Sequence, residues 1–377
     1  MSQAHNMYAV SHDQVVNFIL ATGMEKANND GKPEHIWTHI EGPKGIGKTT
    51  LGKMLSESLP DHTFKYVDCT ALEAGDLGIP KFKEADEQDF VRFVANEVLG
   101  LHDNKPLIIQ LDELSKAARG VMLPLLRLGL EREMFGYRLH PDSIVISNGN
   151  LMVEALGDEF QPHQLDRFCL MELRNPTNIE WLENYAIPNN LNYQVMAWVK
   201  DNGQVFEDWR SVKDPEDNQY IDHPQAVGRR KGTTPRAVAK AAFIVDNRTN
   251  VDDHTLTASL IGTIGPRAAL DFMAFLKISD QLPTLEDIKA NPAQAIVPSN
   301  ASAVCMVVYR TLAQIDRSWV DSWMDYMARL SPEAQALFVN GVRAPRYSEE
   351  KRTQVMTNAK FSAWAAQNNY MFGSDTK

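Results

Sequence analysis

Cysteine is nearly missing from this chain, with three in 377 residues. Cys69, Cys169 and Cys305 lie too far apart for a zinc-ligand spacing or a secreted disulfide framework, so a reducing cytoplasm is expected. No run reaches the roughly 18 consecutive apolar residues that a membrane helix needs. The opening "MSQAHNMYAV" lacks a basic region followed by an apolar one, so neither a membrane span nor a secretion signal is expected. His35, His39, His62 and the other histidines fall at no ligand spacing, and no transition metal is assigned. Positive charge is short as well, with 38 Lys and Arg against 49 Asp and Glu and a net charge of -11. Proteins that wrap nucleic acid draw most of their affinity from neutralising phosphates, so nucleic acid is not the expected partner. The dense basic run "GRRK" at 228–231 reads first as a solvated loop.

What remains is a globular composition, 44% hydrophobic and 23% charged, long enough for two or three domains with their own cores. "SHDQVVNFILAT" (11–22) has helical spacing behind a Ser/Asp start. Five short runs of strand length follow: "HIWTHIE" (35–41), "FKYVD" (64–68), "PLIIQLDE" (106–113), "DSIVISNGN" (142–150) and "FCLMEL" (168–173). Helical patterns are read between the first four. Strands alternating with helices predict a mostly parallel sheet covered on both faces, with the almost wholly apolar third run inside it. After Thr177 the texture becomes helical. "NIEWLENYAIPNNLNYQVMAWVKDN" reads as two helices split by Pro188, a long polar connection follows, and "TPRAVAKAAFIV" starts with a Thr cap and a first-turn proline. Trp319, Trp323, Tyr326, Phe361 and Trp364 recur at helical spacing and are expected in the core rather than on a client-binding surface.

The chemistry begins at Gly42-Pro43-Lys44-Gly45-Ile46-Gly47-Lys48-Thr49-Thr50, which fits G-x-x-x-x-G-K-[ST] between a strand and a helix. Backbone N–H groups of such a loop converge on phosphate oxygens, and the helix N-terminus adds its dipole. Lys48 is placed for the β and γ phosphates of ATP, and the Thr49 hydroxyl for Mg²⁺. "LIIQLDE" then brings Asp112 and Glu113 to the carboxyl end of an apolar strand, where ligands of open α/β sheets gather. Asp112 would hold the Mg²⁺ water shell, and Glu113 would act as general base for an attacking water. "VISNGN" offers two amides, Asn148 and Asn150, one of which could orient that water without adding charge. Arg167 in "QLDRF" and Arg236 in "TPRAV" are candidates for stabilising the phosphoryl transition state.

In this order "GPKGIGKTT", "LIIQLDE", "MLPLLRLGLEREMFGYRLHPDSIVISNGN", "LDRF" and "TPR" resemble the AAA+ ATPases, and more closely the MoxR branch. "IEWLENYA", "GTIGPRAALDFMAFL" and "QLPTLEDIKANP" resemble a bacterial and phage subgroup of it, the likeness covering about residues 35–300. The resemblance implies a P-loop α/β core with a five-stranded, mostly parallel sheet, followed by an all-α lid and a C-terminal helical region. The implied divisions are 1–175 for the core, 176–231 for a connection, 232–300 for the lid and 301–377 for a helical extension. It makes Asn150 the sensor asparagine, although Leu151 stands where the family usually has proline. Arg167 becomes an arginine finger acting in a neighbouring subunit's site, and Arg236 the sensor 2 arginine, with Arg267 in "GPRAAL" as competitor. Further implications are a hexameric ring, a remodelled protein client, a partner with a von Willebrand factor A-like domain, and a bacterial cytoplasm or, for a phage protein, its host's. Two alternatives are a nucleic-acid-directed ATPase of helicase-like or loader type, and a nucleotide switch without turnover.

Overall fold

The computed structural model describes residues 8–85, 88–95, 97–151, 160–229, 231–279 and 282–368. They fall into two compact units, one within His5–Asn175 and the other within Pro176–Lys377.

The first unit is built on five parallel strands, β1 (Thr38–Gly42), β2 (Thr63–Asp68), β3 (Leu107–Asp112), β4 (Ile144–Asn150) and β5 (Cys169–Glu172). Their spatial order is β5-β1-β4-β3-β2. All five lie where strand-length apolar runs stand in the sequence, and β3 is interior as its composition requires. The middle strand is β4.

Strand alternation sends neighbouring apolar residues to opposite faces. Ile40, Ile108, Ile144 and Ile146 pack under α1 (His12–Thr22) and α2 (Thr50–Ser58), joined by Val15, Val16, Ile19, Leu51, Met54 and Leu55. Trp37, Ile109, Leu111 and Val145 face the other way, against Val121, Leu125, Leu126 and Leu128 of α3 (Arg119–Glu131). The result is the expected fold class at the level of architecture, an α/β core with a five-stranded parallel sheet, helices on both of its faces and the phosphate loop after β1, followed by a helical region. Among the described residues no helix is long and apolar enough to cross a membrane.

The expectation of helices between the first four strands needs correcting after β2. Residues there form an antiparallel hairpin, Gly78–Ala85 with Gln88–Ala95. In "PKFK" the charged residues fall at every second position, a strand's period that no helix face can sort, and "FVRFV" is made of aromatic and β-branched residues around one charge. A second, short hairpin pairs Glu133–Met134 with Tyr137–Arg138. Its two-residue loop has φ +53° at Phe135 and +81° at Gly136, the doubly positive geometry of a tight hairpin turn. Holding a phenylalanine there costs about 1 kcal/mol. Its ring stacks on Phe93 of the first hairpin at 4.8 Å, and such stacks contribute about 0.5–1.5 kcal/mol.

The second unit is helical around one core. Pro188 does separate helical segments, a turn ending at Ala186 and the helix Tyr193–Asp201. Trp319, Trp323, Tyr326 and Phe361 are buried in the core, with Trp364 packed against it. The polar connection is more ordered than its composition suggests, since Asp208, Asn218, His223 and Thr233 are buried. Within the basic run, Arg229 donates to the Pro215 carbonyl and pairs with Glu216, while Arg230 lies outside the described residues.

Candidate active site

Parallel register decides which side chains meet at the carboxyl ends of the strands. Asn150 pairs with Gly42, where the phosphate loop leaves β1, and Asn148 lies between Ile40 and Asp112. The loop takes φ +76° at Gly45 and +99° at Gly47. An L side chain rarely adopts such values, so the glycines let successive backbone N–H groups turn inward. Thr49 stands at the entry to α2 and its hydroxyl makes no capping bond, which leaves that oxygen available for a cation.

Lys48 is buried, and its ammonium donates to the carbonyls of Gly42 (2.6 Å) and Pro43 (3.0 Å) and to Asn150 Oδ1 (3.1 Å). Asn150 Nδ2 donates onward to Glu113 Oε1 at 2.7 Å. Glu113 Oε2 pairs with Lys116 Nζ at 2.8 Å. Glu113 takes a left-handed φ of +53°, held by its own N–H on the Asn148 carbonyl at 2.9 Å. Backbone conformations of this kind cost about 1–3 kcal/mol in a non-glycine residue and gather at functional sites.

A second chain of bonds runs beneath the first. Gln110 Nε2 donates to the Lys48 carbonyl and to Asn148 Oδ1, each at 3.0 Å. Asn148 Nδ2 donates to Asp112 Oδ1, and the Tyr66 hydroxyl donates to Asp112 Oδ2 at 2.6 Å. Asp112 is thereby held from both oxygens.

Lys48, Asp112, Glu113 and Asn150 are thus brought together as the sequence led us to expect, with Asn148 beside them on Asp112. Arg167 is not among them. Arg167 lies exposed in the turn before β5, and its guanidinium pairs with no described residue. Arg236 is exposed at the second position of the helix Pro235–Asp246, in the other compact unit. Its competitor Arg267 is exposed too, near Tyr220, whose hydroxyl donates to Asp271 Oδ2 at 3.0 Å.

Gln110, Tyr66, Lys116 and His39 were not marked as site residues from sequence. Gln110 carried a usable signal, a polar residue inside an otherwise apolar buried strand, which must find partners. His39 is wholly buried, with Nδ1 at 2.8 Å from Ser147 Oγ and its ring against Phe160 and Phe168. Burial, and then the Lys48 ammonium, hold its pKa down to about 3 from the usual 6.5. The folded chain therefore keeps this ring neutral where an unfolded chain would protonate it. Stability should fall as pH drops from about 6.5 towards 3, by up to ~1.4 kcal/mol per pH unit for one proton. In thermal melts, His39→Gln is expected to lose less stability than the wild type between about pH 7 and pH 5; an equal loss would exclude His39 as the linked group.

Two hard-oxygen donors, Thr49 and Asp112, are too few for a protein cage, and they suit Mg²⁺, which keeps waters and takes phosphate oxygens. The loop's inward glycines and the unspent Thr49 hydroxyl fit a nucleotide phosphate with its cation. Bound there, the cation would supply charge neutralisation to the phosphates.

No protein-family model matches the chain, and no curated protein matches it. Solved structures do. One point mutant of Thermotoga maritima RuvB is 15% identical at a TM-score of 0.38, over 82% of this chain and 85% of that one. A second point mutant of the same protein gives 16% and 0.36 over the same shares. The closed state of Hsp104 with ATPyS and FITC casein is 17% identical at a TM-score of 0.31, over 41% of this chain. The chain spans 32% of that Hsp104 chain. These scores are too low to bear on function, and the strand order and phosphate loop carry the fold by themselves.

Proposed function

We propose that the chain is a Mg²⁺-dependent ATPase of the MoxR-like AAA+ kind, working as a hexameric ring that remodels a protein client. The observation that carries this reading is the bonded series Lys48–Asn150–Glu113 beside Asp112 at the carboxyl ends of β1, β3 and β4. Its residues divide the work. Gly42 to Thr50 hold the phosphates, Lys48 neutralises them, and Thr49 and Asp112 hold the cation. Glu113 accepts the proton of a water that Asn150 orients. Neutral Asn150 can bond both Lys48 and Glu113, so one amide senses the phosphates and places the base.

Ring assembly is supported by the exposed Arg167, which pairs with no described residue and is available to a neighbouring copy's site. Arg236, exposed near the start of its helix, is the candidate for the sensor 2 role, with Arg267 as its competitor. A partner with a von Willebrand factor A-like domain, and a cytoplasmic setting consistent with three free cysteines, belong to the same proposal. Arg229 of the basic run is tied to Pro215 and Glu216, which takes one cation from the nucleic-acid alternative.

Phosphate release per subunit, measured against protein concentration, tests the proposal. The specific rate is expected to climb from the dilute range to a plateau as sites are completed by neighbours. A flat rate would sink the ring, and the absence of Mg²⁺-dependent release at any concentration would sink the ATPase. Stimulation by DNA or RNA that fades steeply with salt would transfer the activity to the nucleic-acid reading.

A further inference from the structure

We infer that Gln110 is a positioning residue for the cation-binding carboxylate, joining the main chain of the phosphate loop to Asp112 through Asn148. This inference rests on the ATPase reading and extends it to a part of the strand that the usual site residues leave out.

Gln110 is completely buried, two residues before Asp112 on β3, so its side chain shares a strand face with that carboxylate. A buried carboxamide costs free energy wherever its polar atoms lack partners; both N–H groups are bonded here, while Oε1 has no partner among the described residues. One goes to the carbonyl of Lys48, the residue whose ammonium serves the phosphates. The other goes to Asn148 Oδ1, and Asn148 spends its own amide N–H on Asp112 Oδ1. The relay therefore has one end on the phosphate loop and the other on the metal-binding group. An apolar residue would pack as well in this core and make neither bond.

The fit is close from above. A methyl group on Gly52 of α2 would stand 2.3 Å from Gln110 Oε1, so glycine lets the helix settle onto the amide. Tyr66 holds the opposite Asp112 oxygen from the adjacent strand β2, where Asp68 and Asp112 are in register. With its two oxygens fixed by Asn148 and Tyr66, Asp112 presents its remaining lone pairs in one orientation. Such outer partners of metal ligands typically account for about 10–100-fold in affinity.

Gln110→Met keeps the volume and removes both donors. The full-length protein would be loaded with ADP and titrated with Mn²⁺, read by electron paramagnetic resonance, with nucleotide affinity in EDTA and melting temperature measured alongside. Manganese affinity is expected to fall about 10-fold or more in Gln110→Met and in Asn148→Ala, with cation-free nucleotide affinity unchanged. The double variant should be no weaker than Asn148→Ala alone, because the two residues act in series. Tyr66→Phe should weaken manganese binding independently, adding to either. Unchanged manganese affinity in Gln110→Met, with only a lower melting temperature, would reduce Gln110 to a packing residue and overturn the inference while leaving the ATPase intact. Wild-type protein that binds no manganese with nucleotide would instead overturn the ATPase reading, and this inference with it.

Discussion

Glu113→Gln is expected to slow ATP turnover about 10²–10⁴-fold, the usual contribution of a general base, without weakening nucleotide binding. That loss corresponds to about 3–5 kcal/mol on the barrier. The substitution isolates chemistry from structure because glutamine repeats the shape of glutamate at this site. Asn150 Nδ2 can still donate to the side-chain oxygen it now bonds at 2.7 Å. The Lys116 partner is lost, yet both side chains are partly exposed, at 32% and 23%, and such pairs are worth about 0–1 kcal/mol. Melting temperature should therefore scarcely move. Single-turnover phosphate release, alongside equilibrium binding of ATP, separates the two effects. Turnover close to wild type would mean that another group takes the proton, and a parallel loss of binding would mean that Glu113 holds the loop rather than the water.

The contrast between what was and was not readable in the sequence follows from the range of the interactions. The phosphate loop, the acidic pair and the five strands are local patterns, set by glycine spacing or by short apolar runs. The hairpin at Gly78–Ala95 is local too, but its alternation covers only "PKFK" and starts from a proline, so it reads as irregular until paired. Choosing between Asn148 and Asn150 was beyond the residues alone and needed a family resemblance. The register of β4 on β1 and β3 places Asn150 beside Gly42 and Asn148 beside Asp112. Gln110 shows the remaining gap. Its burial was implied by β3, but its partners come from the far end of the loop and from another strand, separations that no sequence window contains. Arg167 and Arg236 show a different limit: both are exposed, so burial says nothing of the roles that the resemblance gave them.

Arg167→Ala is expected to lower turnover about 10³-fold or more at every protein concentration, the range associated with an arginine supplied to a phosphoryl transition state. The fold should not suffer. Arg167 is exposed in a turn and pairs with no described residue, and surface changes of that sort usually stay within about 0.5 kcal/mol. Loss of activity without loss of stability would still leave open whether the arginine serves its own site or the next one. Mixing decides this. A site has Glu113 from one subunit and, on the trans reading, Arg167 from its neighbour. Combining Arg167→Ala subunits with Glu113→Gln subunits, each nearly inactive alone, then rebuilds complete sites wherever the first kind borders the second in the right sense. Random mixing in equal amounts restores about a quarter of the interfaces in a cyclic ring, whose contacts are head-to-tail. Recovery to about that fraction of wild-type turnover supports transfer between subunits. If the mixture stays as inactive as its components, Arg167 acts within its own chain, and the ring loses its catalytic reason to exist.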